Sequence, residues 1–123
     1  MLVEKNVSEF LRSTFRSIWS LELLLLLADD ATRCWTNPEM VAALRASELV
    51  VNQAIDNLNA AGLLVPESRQ CVRYGPVSAD LHQLVMATAT LYMQSPHVVR
   101  RIIVRAQSGS IAAFADAFKF RKD

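Results

Sequence analysis

Glycine is scarce in this chain, with three residues in 123. None lies in a phosphate-cradling loop, a dinucleotide fingerprint or a nucleophile elbow, motifs that need glycine where backbone approaches a ligand or turns sharply. No enzymatic activity is therefore expected. Cysteine is sparser still, with two residues. Cys34 and Cys71 stand far apart without a Cys-x-x-Cys spacing, and they read as ordinary thiols of a reducing compartment. Cys34 has only Arg33 near it in sequence to lower its pKa, so a packed thiol is expected rather than a redox sensor. His82 and His97 have no metal-ligand spacing to each other or to the cysteines, so neither a metal nor another cofactor is expected. A membrane-spanning run is missing too: the apolar stretch from Leu21 to Ala28 is interrupted by Glu22 and far too short for a bilayer. The polar, partly acidic start from Met1 to Phe10 does not resemble a signal peptide, and the cytoplasm is the expected location.

What the chain does contain is apolar side chain, 52% of the total. Its length suits one domain with a real core, and the apolar fraction implies either a very complete core or a face covered by a partner. The net charge of +1 predicts no general attraction to polyanions. The charge is uneven, however. From His97 to Asp123, Arg100, Arg101, Arg105, Lys119, Arg121 and Lys122 outnumber Asp116 and Asp123 to give +4, which leaves −3 for the rest. Such a basic tail is either a solvated helix face or a contact for a polyanion or an acidic partner.

Local signals divide the chain into short helices around one hairpin. Asn6-Val7-Ser8-Glu9 reads as a helix start, with Phe10, Leu11 and Phe15 on one face. Ser17 caps a second helix, Ile18 to Ala28, whose leucines on nearly every side predict burial on nearly every side. Thr36 and Glu39 have capping-box spacing, and Pro38 fits the first turn. That helix carries Met40, Val41 and Leu44 inward and ends near Arg45-Ala46. Ser47 then caps another helix after almost no linker, so the two must cross steeply. On the latter, Val51, Ala54, Ile55 and Leu58 follow the core-facing spacing, Asn52, Gln53, Asp56, Asn57 and Asn59 form the outer face, and Gly62 provides the stop. The runs Leu63-Leu64-Val65 and Cys71-Val72-Arg73-Tyr74, separated by Pro66 to Gln70, predict a β-hairpin with a polar tip. After Gly75-Pro76, Ser78 opens a long helix to about Gln94. Ser95-Pro96 restarts the chain as a helix from Val98 to Ala106, and Ser108-Gly109-Ser110 precedes a last one from Ile111 to Phe120. The expected fold class is mainly α: one winged helix-turn-helix domain over residues 1–123, with the helix-turn-helix at about 36–62, the wing at about 63–76, and extra terminal helices, those at about 78–120 serving dimerisation.

Leu44, Ser47, Val50-Val51, Ile55, Leu58 and Ala61-Gly62-Leu63-Leu64 together resemble the bacterial winged-helix regulators of the multiple-antibiotic-resistance-regulator (MarR-like) type, over about a third of the chain. The segment from Phe114 to Phe118 loosely resembles an uncharacterised proteobacterial winged-helix group. The resemblance implies a dimeric transcription regulator that binds double-stranded DNA. It also implies a hydroxyl and a basic residue at the positions held here by Val50 and Gln53, where this chain departs from the pattern.

The candidate DNA-binding residues are Ser47, Asn52, Gln53, Asn57, Arg69 and Arg73. Amides can pair with adenine edges, and the two arginines suit backbone or minor-groove contact. Affinity for DNA comes largely from phosphates. From Asp30 to Pro76, four arginines meet five acids for a sum of −1, so a homodimer that doubles its contacts is expected. Its candidate contacts are Val98, Ile102, Ile111, Phe114 and Phe118, on apolar stripes that include Val99 and Ile103. A protein-interaction module without sequence-specific DNA binding is the alternative. A third option, a small-molecule pocket lined by Trp19, Trp35 and Tyr92, competes with plain core packing of those aromatics.

Overall fold

The computed structural model describes residues 2–107, with side chains from Asn6 onward. Its elements run α1 (Leu2–Thr14), α2 (Ile18–Asp29), β1 (Trp35–Thr36), α3 (Asn37–Leu44), α4 (Glu48–Ala60), β2 (Leu64–Pro66), β3 (Cys71–Tyr74), α5 (Ala79–Gln94) and a helix α6 over 96–107. The described residues are mainly helical with a small antiparallel sheet, ordered β1-β3-β2.

Side-chain caps set most helix starts. Ser17, Ser47 and Ser78 each accept a hydrogen bond from the backbone N–H three residues on, satisfying a donor the helix leaves free. Thr36 and Glu39 form the complete reciprocal capping box expected of them, with Pro38 in the first turn. The N-terminal helix departs from expectation. It already includes Leu2, so Asn6 to Glu9 lie inside it rather than at its start. The apolar spacing of Val7, Phe10 and Leu11, all buried, decides the helix there over the local capping preference of Asn6 and Ser8.

The core is assembled on α2. Leu21, Leu23, Leu24 and Leu27 are fully buried, packed with Leu11, Phe15, Met40, Val51, Leu58, Leu63, Val85, Val99 and Ile103. Burial is broad but incomplete, since Trp19 is exposed and Leu25 and Leu26 are half-buried. On α6, Val99 and Ile103 sit in the core of the same chain, and Ile102 packs partly against it. The apolar stripe of this helix is thus spent mainly on its own chain, which corrects its reading as a surplus kept for a second subunit. Val98 is half-buried. Ile111, Phe114 and Phe118 lie outside the described residues.

Two turns flank α4 and set its position. Between α3 and α4, Arg45 adopts the left-handed conformation (φ 54°) and Ala46 N–H bonds to the Val41 carbonyl at 3.3 Å. After α4, Gly62 takes φ 76°, where a side chain would be strained and would meet Val77. The hairpin pairs β2 with β3 (Leu64 with Tyr74, Val65 with Arg73), and β3 also pairs with β1 (Thr36 with Cys71). The second hairpin strand has the expected bounds, whereas the first runs one residue later than expected and takes in Pro66; the third strand, only two residues long, carries no legible period.

Candidate functional site

The face of interest is built from α4, the turn before it and the hairpin after it. Val51, Ala54 and Leu58 hold α4 against the core. That orientation leaves Glu48, Leu49, Asn52, Gln53, Asp56 and Asn59 exposed along its outer side. Leu49, in the first turn of α4, is 66% exposed. Ser47 is exposed, but its hydroxyl oxygen accepts the Val50 N–H at 3.1 Å and so serves as the cap. Asn52 Oδ1 accepts from Asn37 Nδ2 at 2.8 Å, tying the start of α3 to α4. Gln53 is exposed beside a cleft of about 410 Å3 that Arg16, Trp19, Asp56 and Asn57 also border.

Asn57 does not belong to the outer face. It is 9% exposed, and both ends of its amide are engaged: Nδ2 donates to the Thr14 carbonyl at 2.8 Å, and Oδ1 accepts the Arg16 N–H at 3.0 Å. It fastens the α1–α2 loop to α4. The helical angle alone places Asn57 between the two faces, and the neighbouring loop decides which way it is used.

The arginines divide into engaged and unengaged groups. Arg73 Nε donates to Glu67 Oε1 at 2.5 Å and its Nη1 to the Tyr74 carbonyl at 3.4 Å, so it is not the free cation expected on the hairpin. Arg33 binds Glu39 at 2.7 Å and lies over the Trp35 ring, 3.6 Å from its centre. The backbone N–H of Thr36, the Arg33 guanidinium and the Thr36 hydroxyl together lower the Glu39 pKa from 4.5 to about 2. Arg45 and Arg69, by contrast, are exposed and form no ion pair among the described residues. Sequence reasoning misses Arg45; what marks it is a left-handed backbone at a residue with a long side chain.

The two cysteines are joined. Cys34 and Cys71 form a disulfide with Cα atoms 5.4 Å apart, bridging the start of β1 to β3. This overturns their reading as ordinary separate thiols and removes the cysteine-based argument for a reducing compartment. Thirty-seven positions separate them in sequence, and only the β1–β3 register brings them together. Glu67 stands beside the pair, with its carboxylate and both sulfur atoms within 4.8 Å of one another. Spacing along the chain conceals this cluster as well.

A second polar group is also hidden in the sequence. Glu22, within the leucine-rich α2, accepts a hydrogen bond from the Tyr92 hydroxyl, and Arg100 reaches both, at 3.1 Å to Tyr92 and 3.7 Å to Glu22. Burial, and next the bond to Glu22, raise the Tyr92 pKa. Arg100 is thereby withdrawn from the basic tail. The three aromatics of the small-molecule option are separated: Trp19 borders the 410 Å3 cleft and another of about 390 Å3, Tyr92 borders one of about 450 Å3 between α2 and α5, and Trp35 is buried. No helix among the described residues is long and apolar enough to cross a membrane. No protein-family model, curated protein or solved structure matches the chain.

Proposed function

We propose that the chain is a winged helix-turn-helix regulator that binds double-stranded DNA as a homodimer, with α4 entering the major groove and the β2–β3 hairpin acting as the wing. The element order from α2 to β3 and the strand order β1-β3-β2 support this reading. The observation that carries it is the abrupt α3–α4 turn, which leaves the capped start of α4 exposed and holds Arg45 beside it in a strained conformation. A left-handed arginine costs stability that glycine would spare, and such strain concentrates where a side chain is needed for function. Asn52 and Gln53 are the base-reading candidates, and Arg45 and Arg69 are the phosphate contacts. Arg45 and Arg69 give weak binding alone, so a dimer is part of the proposal. Exposed Met86, Met93 and Val104, together with the apolar spacing of Ile111, Phe114 and Phe118, suit a subunit contact.

One observation favours a second reading, a protein-interaction module: Leu49 is an exposed apolar side chain on the otherwise polar outer face of α4. Selection of genomic fragments by the purified protein separates the two. A regulator enriches a near-palindromic site with half-sites about one helical turn apart, and its affinity falls steeply with salt. No enriched site at low salt would reject DNA binding and leave the interaction module.

A further inference from the structure

We propose that reduction of the Cys34–Cys71 disulfide converts the base of the hairpin into a binding site for a thiophilic divalent cation, zinc being the ion that best fits the donors. The donors are the Cys34 and Cys71 thiolates and the Glu67 carboxylate, all within 4.8 Å of one another. Two structural features hold them there. The β1–β3 register sets Thr36 opposite Cys71, which brings Cys34 alongside, and the Glu67 N–H bonds to the Cys71 carbonyl at 3.2 Å across the hairpin. With bonds of about 2.3 Å, a tetrahedral zinc holds its two sulfurs about 3.8 Å apart. Thiolates released from the disulfide reach that separation by side-chain rotation over the existing 5.4 Å between Cα atoms. Two sulfurs and one oxygen select a borderline-soft ion and reject magnesium and calcium, which require oxygen donors throughout. Glu67 is exposed, so water can take the fourth position.

The surroundings suit a loaded site. Zinc with two thiolates and one carboxylate carries a charge of −1, and Arg73, bound to Glu67 Oε1 at 2.5 Å, offsets it while leaving Oε2 for the ion. The Ser68 hydroxyl lies 3.7 Å from the Cys71 sulfur and can donate to a thiolate there. Oxidised and loaded forms exclude each other. A phosphine or dithiol supplies two electrons to the S–S bond, water or the dithiol supplies two protons, and the reductant leaves as phosphine oxide or cyclic disulfide. The incoming ion then displaces both thiol protons into solvent. The site does not depend on DNA binding.

The test uses the full chain, reduced with a phosphine, freed of it without air and shown to have two titratable thiols. Cobalt(II) is the probe, followed by zinc. The expected result is one cobalt per chain with a thiolate-to-metal charge-transfer band and tetrahedral ligand-field intensity, bleached by one equivalent of zinc and absent from the oxidised protein. Glu67→Gln should weaken binding at least about tenfold, whereas Arg73→Ala, which breaks the same ion pair but keeps the carboxylate, should retain the band. Failure of the reduced protein to develop the band in excess cobalt would overturn the proposal. So would unchanged affinity in Glu67→Gln, an equal loss in Arg73→Ala, or half an equivalent per chain, which would place the ion between two chains. Both variants alter exposed or half-exposed side chains and leave the cysteines intact, so the outcome does not hinge on folding of a cysteine mutant.

Discussion

Asn57 and Asn52 share one helix and one chemistry, yet Asn57 is buried with both ends of its amide engaged, while Asn52 is exposed and its side chain bonds to Asn37. Replacing Asn57 by alanine strands the Thr14 carbonyl and the Arg16 N–H, which should cost about 1–3 kcal/mol of stability, read as a lower urea midpoint with no specific effect on DNA affinity. Gln53→Ala should do the reverse, leaving the midpoint nearly unchanged and weakening binding to a selected site by about 1–3 kcal/mol per lost base pairing; Asn52→Ala should weaken binding likewise and also lower the midpoint slightly, because it loses the exposed bond to Asn37. Arg45 combines both effects. Arg45→Gly relieves its left-handed backbone and should raise stability by up to about 1 kcal/mol, while DNA affinity falls and its salt slope decreases by about one unit. A stabilised protein with undiminished affinity would remove Arg45 from the proposed interface. Glu39 gives a pH signature. Its pKa is lowered to about 2 in the folded chain, so the carboxylate stabilises the fold above its unfolded value of 4.5 and loses that contribution as the pH falls toward 2. Acid titration of Glu39→Gln should therefore show a flatter decline across that window than the parent chain.

At the scale of the elements, local chemistry sets most helix starts, and contacts tighten a hairpin that local signals already outline. Ser17, Thr36, Ser47 and Ser78 are all legible as caps because a cap needs only its own residue and the next turn. Ser47→Ala should cost about 1 kcal/mol and fray the start of α4, visible as faster amide exchange at Val50. The hairpin is tighter than its sequence suggests. A Cβ on Gly75 would approach Val65 Cγ2 to 2.5 Å, so Gly75→Ala should destabilise the chain by about 1–3 kcal/mol. Adding Val65→Ala should recover part of the loss, and a strictly additive double variant would show that the two sites do not touch. The α6 stripe illustrates the limit of periodicity. Its spacing identifies a buried face but not the surface that buries it, and Val99 and Ile103 turn out to face their own core.

At the scale of the whole molecule, the disulfide and the charge balance govern behaviour. The Cys34–Cys71 bond spans 37 positions, and closing a loop of that length in the unfolded chain stabilises the fold by about 4 kcal/mol in the chain-entropy account. Reduction should lower the unfolding free energy by about 2–4 kcal/mol, followed by urea denaturation with and without a phosphine. Ion pairs to Glu39 and Glu67 engage Arg33 and Arg73, which leaves Arg45 and Arg69 as the phosphate contacts of the proposed interface. Arg69→Ala should accordingly flatten the salt dependence of DNA binding by about one unit, and Arg73→Ala by less, because binding there must first break an existing pair.

The division between what could be read along the chain and what required folded contacts follows sequence distance. Caps, the α3–α4 turn, the Gly62 stop and the hairpin depend on residues within a few positions of one another, so the order of side chains alone specifies them. The inward use of Asn57, the pairing of Cys34 with Cys71 and the Glu22–Tyr92 bond join residues 37 to 70 positions apart. No local preference encodes such contacts. They exist because the α1–α2 loop seated on α4, the meeting of α2 with α5 and the β1–β3 register bring distant segments together, and only then do an amide, two sulfurs and a half-buried carboxylate acquire partners.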